Sequence, residues 1–137
     1  MSLVLDSSVT LAWIYLEQTT PEVDRVLQLV SGGGALVPSL WRLEVANILE
    51  MGVRRSRHSA AFRDATLADL ALLPINIDKD TDAHAWGATL RLAEHHRLTL
   101  YDAAYLEVAK RRDLPLATLD VELRSAAKRE RIALLGL

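Results

Sequence analysis

Five short apolar runs, Leu3–Leu5, Ala35–Val37, Ile75–Ile77, Leu116–Thr118 and Ile132–Leu134, are separated by stretches with helical character. This alternation constrains the fold more than any other feature of the chain. The runs lack a sustained apolar–polar alternation, so they read as strands covered on both faces. Strands joined through helices pair in parallel with right-handed crossovers, because that connection lets a twisted strand and its helix pack back onto the sheet. The expected class is therefore α/β.

The helices between the runs have recognisable ends. Ser8 to Leu16 is helical, and Pro21 to Val30 starts on a proline, whose fixed φ suits the first turn. The glycines Gly32 to Gly34 stop it. Ser39 is expected to cap a long helix reaching about Arg55. Further helices are expected over Ala60–Leu72, Thr81–His95, Asp102–Arg112 and Val121–Arg129. The loop signals between them are too short to divide the chain, so residues 1–137 are expected to form a single domain. A chain of this size buries roughly 70% of its unfolded surface, enough for a core without staples.

Cysteine is absent, which excludes disulfides, thiolate metal sites and thiol nucleophiles. The N-terminus lacks a basic segment before its first apolar run, and no stretch approaches the ~20 apolar residues of a membrane span. A soluble, cytoplasmic protein with no membrane contact is expected. The formal net charge of −2 gives no general attraction to nucleic acid. Local basic stretches remain: Arg54-Arg55-Ser56-Arg57-His58, Lys110-Arg111-Arg112, and Lys128-Arg129 with Arg131. Each also fits a solvated helix end, where cations favour the negative pole of the dipole.

Four acids stand where solubility does not require them. Asp6 closes the first apolar run and Asp120 the fourth. In open parallel sheets ligands bind beyond the carboxyl ends of strands, so both fit that edge. Asp6 fits equally well as a helix start beside Ser7 and Ser8, and Asp120 as the cap of the last helix. Glu44 shares a helical row with Leu40, Ile48 and Met51, where an unpaired carboxylate is unfavourable. Asp102 shares a row with Leu106 and Ala109, yet Thr99 to Asp102 also has capping-box spacing. Gathered at one edge, the four would repel one another unless a divalent cation held them. Thr118, two residues before Asp120, would add a hydroxyl on the same strand face. Glu122 is close enough in sequence to be an accessory ligand. Most other acids, among them Glu107 and Glu130, read as surface.

The histidines form no evident metal set, since His95 and His96 are adjacent and leave a helix in different directions. No HExxH, P-loop or GxSxG pattern occurs.

The order and spacing of Val4-Leu5-Asp6-Ser7-Ser8-Val9, Pro38-Ser39-Leu40-Trp41-Arg42-Leu43-Glu44-Val45-Ala46-Asn47, Leu98-Thr99-Leu100-Tyr101-Asp102-Ala103-Ala104-Tyr105-Leu106 and Leu116-Ala117-Thr118-Leu119-Asp120 resemble a PIN-domain ribonuclease. The closer resemblance is to VapC-type toxins of type II toxin–antitoxin pairs, over essentially the whole chain. It implies a three-layer α/β/α sandwich with a five-stranded parallel sheet. It also implies a Mg²⁺- or Mn²⁺-dependent endoribonuclease, a VapB-type antitoxin partner, an RNA substrate and a homodimer. It carries metal and catalytic roles onto Asp6, Glu44, Asp102 and Asp120, with Ser7 and Thr118 positioning water or substrate. After Asp120 the chain reads Val121-Glu122-Leu123, without the extra aspartate some members carry.

Two alternatives stand beside this. One is a PIN nuclease of RNA processing with no toxin role. The other is a receiver-like, Mg²⁺-binding signalling domain, in which Asp78 would accept the phosphoryl group and Thr118 would be the switch hydroxyl. The receiver pattern wants paired acids after the first strand, where this chain has Asp6-Ser7.

Overall fold

The computed structural model describes every residue from Met1 to Leu137. The chain opens with β1 (Leu3–Leu5), α1 (Ser7–Ile14) and a 3-10 turn (Leu16–Gln18). Then come α2 (Pro21–Gly33), β2 (Ala35–Val37), α3 (Trp41–Arg54) and α4 (Ala60–Ala71). β3 (Ile75–Ile77), α5 (Thr81–His84), α6 (Ala88–His96) and α7 (Leu100–Arg112) follow. β4 (Leu116–Ala117), α8 (Val121–Arg129) and β5 (Leu134–Leu135) complete the chain. All five strands are parallel, in the order β3-β2-β1-β4-β5, and the architecture is the expected three-layer α/β/α sandwich. No helix is long and apolar enough to cross a membrane.

The strand order explains where a site can form. The chain steps from β1 through β2 to β3 on one side, then restarts at β4 on the other side of β1. The crevice at such a reversal lies beyond the carboxyl ends of the two strands concerned. Leu5 pairs with Ala117 across β1 and β4, so the residues that follow, Asp6 and Thr118, emerge side by side.

Burial accounts for the weak alternation of the strands. β1 and β2 are buried throughout, and so are both residues of β4. α7 is buried over every residue from Ala103 to Ala109, so it is the central covering helix.

Several boundaries differ from the sequence expectation. The helix expected over Thr81–His95 is two helices, because Gly87 takes a non-helical conformation between them. The final strand starts two residues late. Arg131 adopts a left-handed φ of 60° while the Ile132 amide closes onto the Ala127 carbonyl at 2.9 Å, so the end of α8 occupies those residues. α1 ends at Ile14, short of Leu16. Ser39 does not cap α3: Leu40 holds that position without a side-chain bond, and the Trp41 amide bonds the Pro38 carbonyl.

Candidate functional site

Asp6 stands at the N-cap position of α1, but its side chain makes no cap hydrogen bond. It is 4% exposed, and its Oδ2 accepts from Ser8 Oγ at 2.6 Å and from Thr118 Oγ1 at 2.8 Å. The two hydroxyls are themselves fixed, since Ser8 Oγ accepts from the Leu119 amide and Thr118 Oγ1 from the Asp120 amide. Burial pushes the Asp6 carboxyl up from its ordinary value; the bonds from Ser8 and Thr118 offset only some of this, and the charge of Asp120 adds to it.

Thr118 is thus beside Asp6, as its strand position implied. Ser7 opens α1, half-buried, and makes none of the bonds that hold Asp6. The serine hydroxyl bonded to Asp6 is that of Ser8. The two serines differ by one helical step, and the sequence alone carries no signal to choose between them.

Glu44 lies in the first turn of α3. Its row, Leu40, Ile48 and Met51, is half-buried and flanks the stripe Trp41, Val45, Leu49 and Gly52 that faces the core. The carboxylate accepts a hydrogen bond from the hydroxyl of Tyr105 on α7. Burial pushes Glu44 up, the Tyr105 bond opposes this, and the charges of Asp6 and Asp102 push it further.

Asp102 sits in the first turn of α7, where its amide donates to the capping hydroxyl of Thr99 at 3.1 Å. Its carboxyl is pushed up to about 6, first by burial and then by the charges of Asp6, Asp120 and Glu122. Asp120 is exposed and caps α8, its Oδ1 accepting from the Leu123 amide at 2.8 Å. Its capping role is real, and the other oxygen is left free of it. Glu122 is exposed in the same first turn.

These acids therefore act on one another electrostatically from four separate elements. No Lys, Arg or His pairs with any of them. The side-chain donors that reach Asp6 and Glu44 are uncharged hydroxyls. Oxygen-only donors around unneutralised negative charge match the preference of a hard divalent cation.

The one trio of ligating side chains drawn within 4.8 Å of one another lies elsewhere, at His95, His96 and Glu130. This corrects the surface reading of Glu130. The rings of His95 and His96 meet edge to face at 4.6 Å, and Glu130 is half-buried beside them. Both Glu130 oxygens are engaged, Oε1 by Lys110 Nζ at 2.6 Å and Oε2 by His96 Nε2 at 2.7 Å. That is an ion-pair network tying α6, α7 and α8 together. The acids near Asp6 are more open, which suits an ion that keeps several waters.

Asp78, the acid after β3, has the opposite surroundings. Its side chain is fully buried and takes hydrogen bonds from Arg111 Nη2 at 2.6 Å, Arg112 Nη2 at 2.9 Å and Thr81 Oγ1 at 2.7 Å. Burial pushes it up, but the bonds from Arg111, Thr81 and Arg112 prevail and hold it down at about 2. Glu107, expected at the surface, is 3% exposed and bonded to Arg111 Nε at 2.7 Å. A carboxylate clamped by two guanidinium groups is a poor phosphoacceptor. The strand order also differs from the 2-1-3-4-5 order of flavodoxin-like receivers.

Comparison with known proteins agrees with this fold. The family model described as PIN domain matches residues 3–129. Among solved structures, PAE2754 from Pyrobaculum aerophilum is 25% identical with a TM-score of 0.69, over 92% of this chain and 86% of that one. FitAcB from Neisseria gonorrhoeae is 15% identical with a TM-score of 0.66, over 96% of this chain and 95% of that one. VapBC2 from Rickettsia felis, solved with a DNA fragment from its promoter, is 14% identical with a TM-score of 0.64, over 98% and 97%. No curated protein matches the sequence.

Proposed function

The chain belongs to the PIN-domain family, whose members are nucleases, and we propose that it is a Mg²⁺- or Mn²⁺-dependent endoribonuclease serving as the toxin of a type II toxin–antitoxin pair. The observation that carries this is the unneutralised charge of Asp6, Glu44, Asp102 and Asp120 at the reversal of the sheet. Asp6 and Asp102 would hold the cation most directly, with Glu44 and Asp120 serving a second ion or orienting its waters. Such an ion, when bound, supplies an activated water and offsets the charge that builds on a phosphodiester.

The protein's own groups prepare that chemistry. The hydroxyls of Ser8 and Thr118 both grip Oδ2 of Asp6. Asp120 commits Oδ1 to the α8 cap, and its charge acts on Asp6 and Asp102. The RNA backbone needs cations outside the acid ring, and its binding should weaken with salt. Of the basic stretches, Arg111 and Arg112 are engaged with Asp78, Arg54 with Glu50 and Arg57 with Glu17, so Arg55 and the end of α8 are the remaining candidates.

The antitoxin reading draws on the likeness to a solved toxin–antitoxin complex from Klebsiella pneumoniae, 18% identical with a TM-score of 0.57 over 87% of each chain. It also draws on an apolar groove between α3 and α4, lined by Trp41, Val45, Leu67, Leu70, Leu73 and Ile75. A groove of this kind accepts an amphipathic partner helix. A working unit of one domain, paired as a homodimer in the cytoplasm, completes the proposal.

Incubation with total RNA in Mg²⁺, Mn²⁺ or chelator tests it. Fragments with 5′-phosphate and 3′-hydroxyl ends should form only with metal. Cleavage that survives chelation, or cyclic phosphate ends, would sink the metal-hydrolysis reading. Active protein isolated without any copurifying small partner would favour a role in RNA processing over a toxin.

A further inference from the structure

We propose that Tyr105 is a positioning residue that aims Glu44 at the acid centre, an inference that rests on the nuclease reading above. Tyr105 is fully buried on α7, three residues after Asp102, so the two side chains lie on neighbouring lines of one helix face. Its hydroxyl crosses to α3 and donates to Oε1 of Glu44, 61 residues away in sequence. One helix therefore carries one acid of the centre and sets the orientation of another.

The chemistry of the donor matters as much as its reach. A carboxylate has two oxygens, and holding Oε1 leaves Oε2 to face an incoming cation. A guanidinium at the same place would hold Glu44 more strongly but cancel its charge, as Arg111 and Arg112 do at Asp78. The phenol, pushed above its ordinary value by burial and by the charge of Glu44, stays an uncharged donor at neutral pH and leaves the negative charge available. A tyrosine hydroxyl that needed only satisfaction would be served by a neutral acceptor. A half-buried carboxylate costs desolvation, which is compensated when a cation uses its charge.

The test is Tyr105→Phe, which removes the hydroxyl and keeps the ring. Mn²⁺ affinity is titrated by EPR, and kcat and KM are measured on one RNA substrate. Mn²⁺ affinity should fall about 10-fold or more, the range seen when an outer partner of a metal ligand is lost. kcat should fall with it while KM for RNA stays unchanged. In the Glu44→Gln background the same change should have no further effect, because both act through one carboxylate. Wild-type Mn²⁺ affinity and kcat in Tyr105→Phe would overturn the proposal and leave the nuclease reading standing. So would losses that simply add to those of Glu44→Gln. A wild-type protein that binds no Mn²⁺ would remove the nuclease reading and this proposal together. If Tyr105→Phe does not fold, Glu44→Asp replaces it: it keeps the charge but draws it away from the phenol, and unchanged Mn²⁺ affinity there would equally overturn the proposal.

Discussion

Asp6 and Asp78 end two strands of one sheet on the same edge, with only β2 between those strands. At the usual strand spacing they are roughly 10 Å apart. Both are buried, at 4% and 2% exposure. Around Asp78 the protein supplies two guanidinium groups, and the carboxyl falls to about 2. Around Asp6 it supplies two hydroxyls and further acids, and the carboxyl rises. Burial alone therefore does not mark a working carboxylate. The proposed metal role of Asp6 rests on burial without a counter-charge, the condition that a bound cation would relieve. α7 serves both regions, with Asp102 in its first turn and Arg111 and Arg112 in its last.

The largest test of the contrast is chemical. Asp6→Asn and Asp102→Asn should each reduce metal-dependent cleavage more than about 100-fold, beyond what loss of an outer partner does. Neither should lower metal-free stability, since each removes a repelling charge. Asp78→Asn should leave Mn²⁺ binding intact. A folded Asp78→Asn protein that no longer binds Mn²⁺ would erase the distinction between the two regions.

The second test inverts the first. Asp78→Ala removes the buried carboxylate between Arg111 and Arg112, leaving Arg111 to Glu107 and Arg112 to Asp80, and breaking a buried pair costs about 3 kcal/mol. Urea denaturation should show that loss, against little or none for Asp6→Asn. A loss below about 1 kcal/mol would mean that the clamp is a surface ornament.

The smallest effect is in pH dependence, and there the two regions have opposite signs. Asp102 is raised from 3.8 to about 6, so the folded protein holds its proton more tightly than the unfolded chain. Its contribution is full below pH 3.8 and is lost as pH rises through 6. Asp78 is lowered from 3.8 to about 2, so its contribution is present above 3.8 and is lost as pH falls towards 2. Metal-free unfolding midpoints should therefore drop on both flanks. Saturating Mg²⁺ should remove the upper flank only, because it takes the place of the proton. Asp102→Asn should flatten the same flank, and an unchanged upper slope in that variant would break the assignment.

Much of this was legible in the sequence. The strand positions followed from short, mainly apolar runs, and the acids stood out because they closed such runs or interrupted apolar rows. Electrostatic coupling among Asp6, Glu44, Asp102 and Asp120 follows from those positions once β1 and β4 are neighbours. What stayed hidden depends on contacts far apart in the chain or on single-residue phase. Glu107 looked like surface because its partner Arg111 cannot be told from a solvated helix end. The clamp on Asp78 draws on residues 33 and 34 positions away. Ser8 rather than Ser7 faces Asp6 because of how α1 leaves the strand. Tyr105 had a usable signal, since it lies three residues after Asp102 on the same helix. Gly87 was a visible breaker inside a pattern that otherwise continued.

The hydrogen bond between Asp6 and Thr118 joins residues 112 positions apart. A ribosome working at about 5–20 residues per second makes the first of them roughly 6–22 s before the second. During that interval Asp6 has neither the Thr118 hydroxyl nor the strand that brings Asp120. The nascent chain thus lacks the assembled acid centre through most of its own synthesis, and these side chains can meet only near the finish.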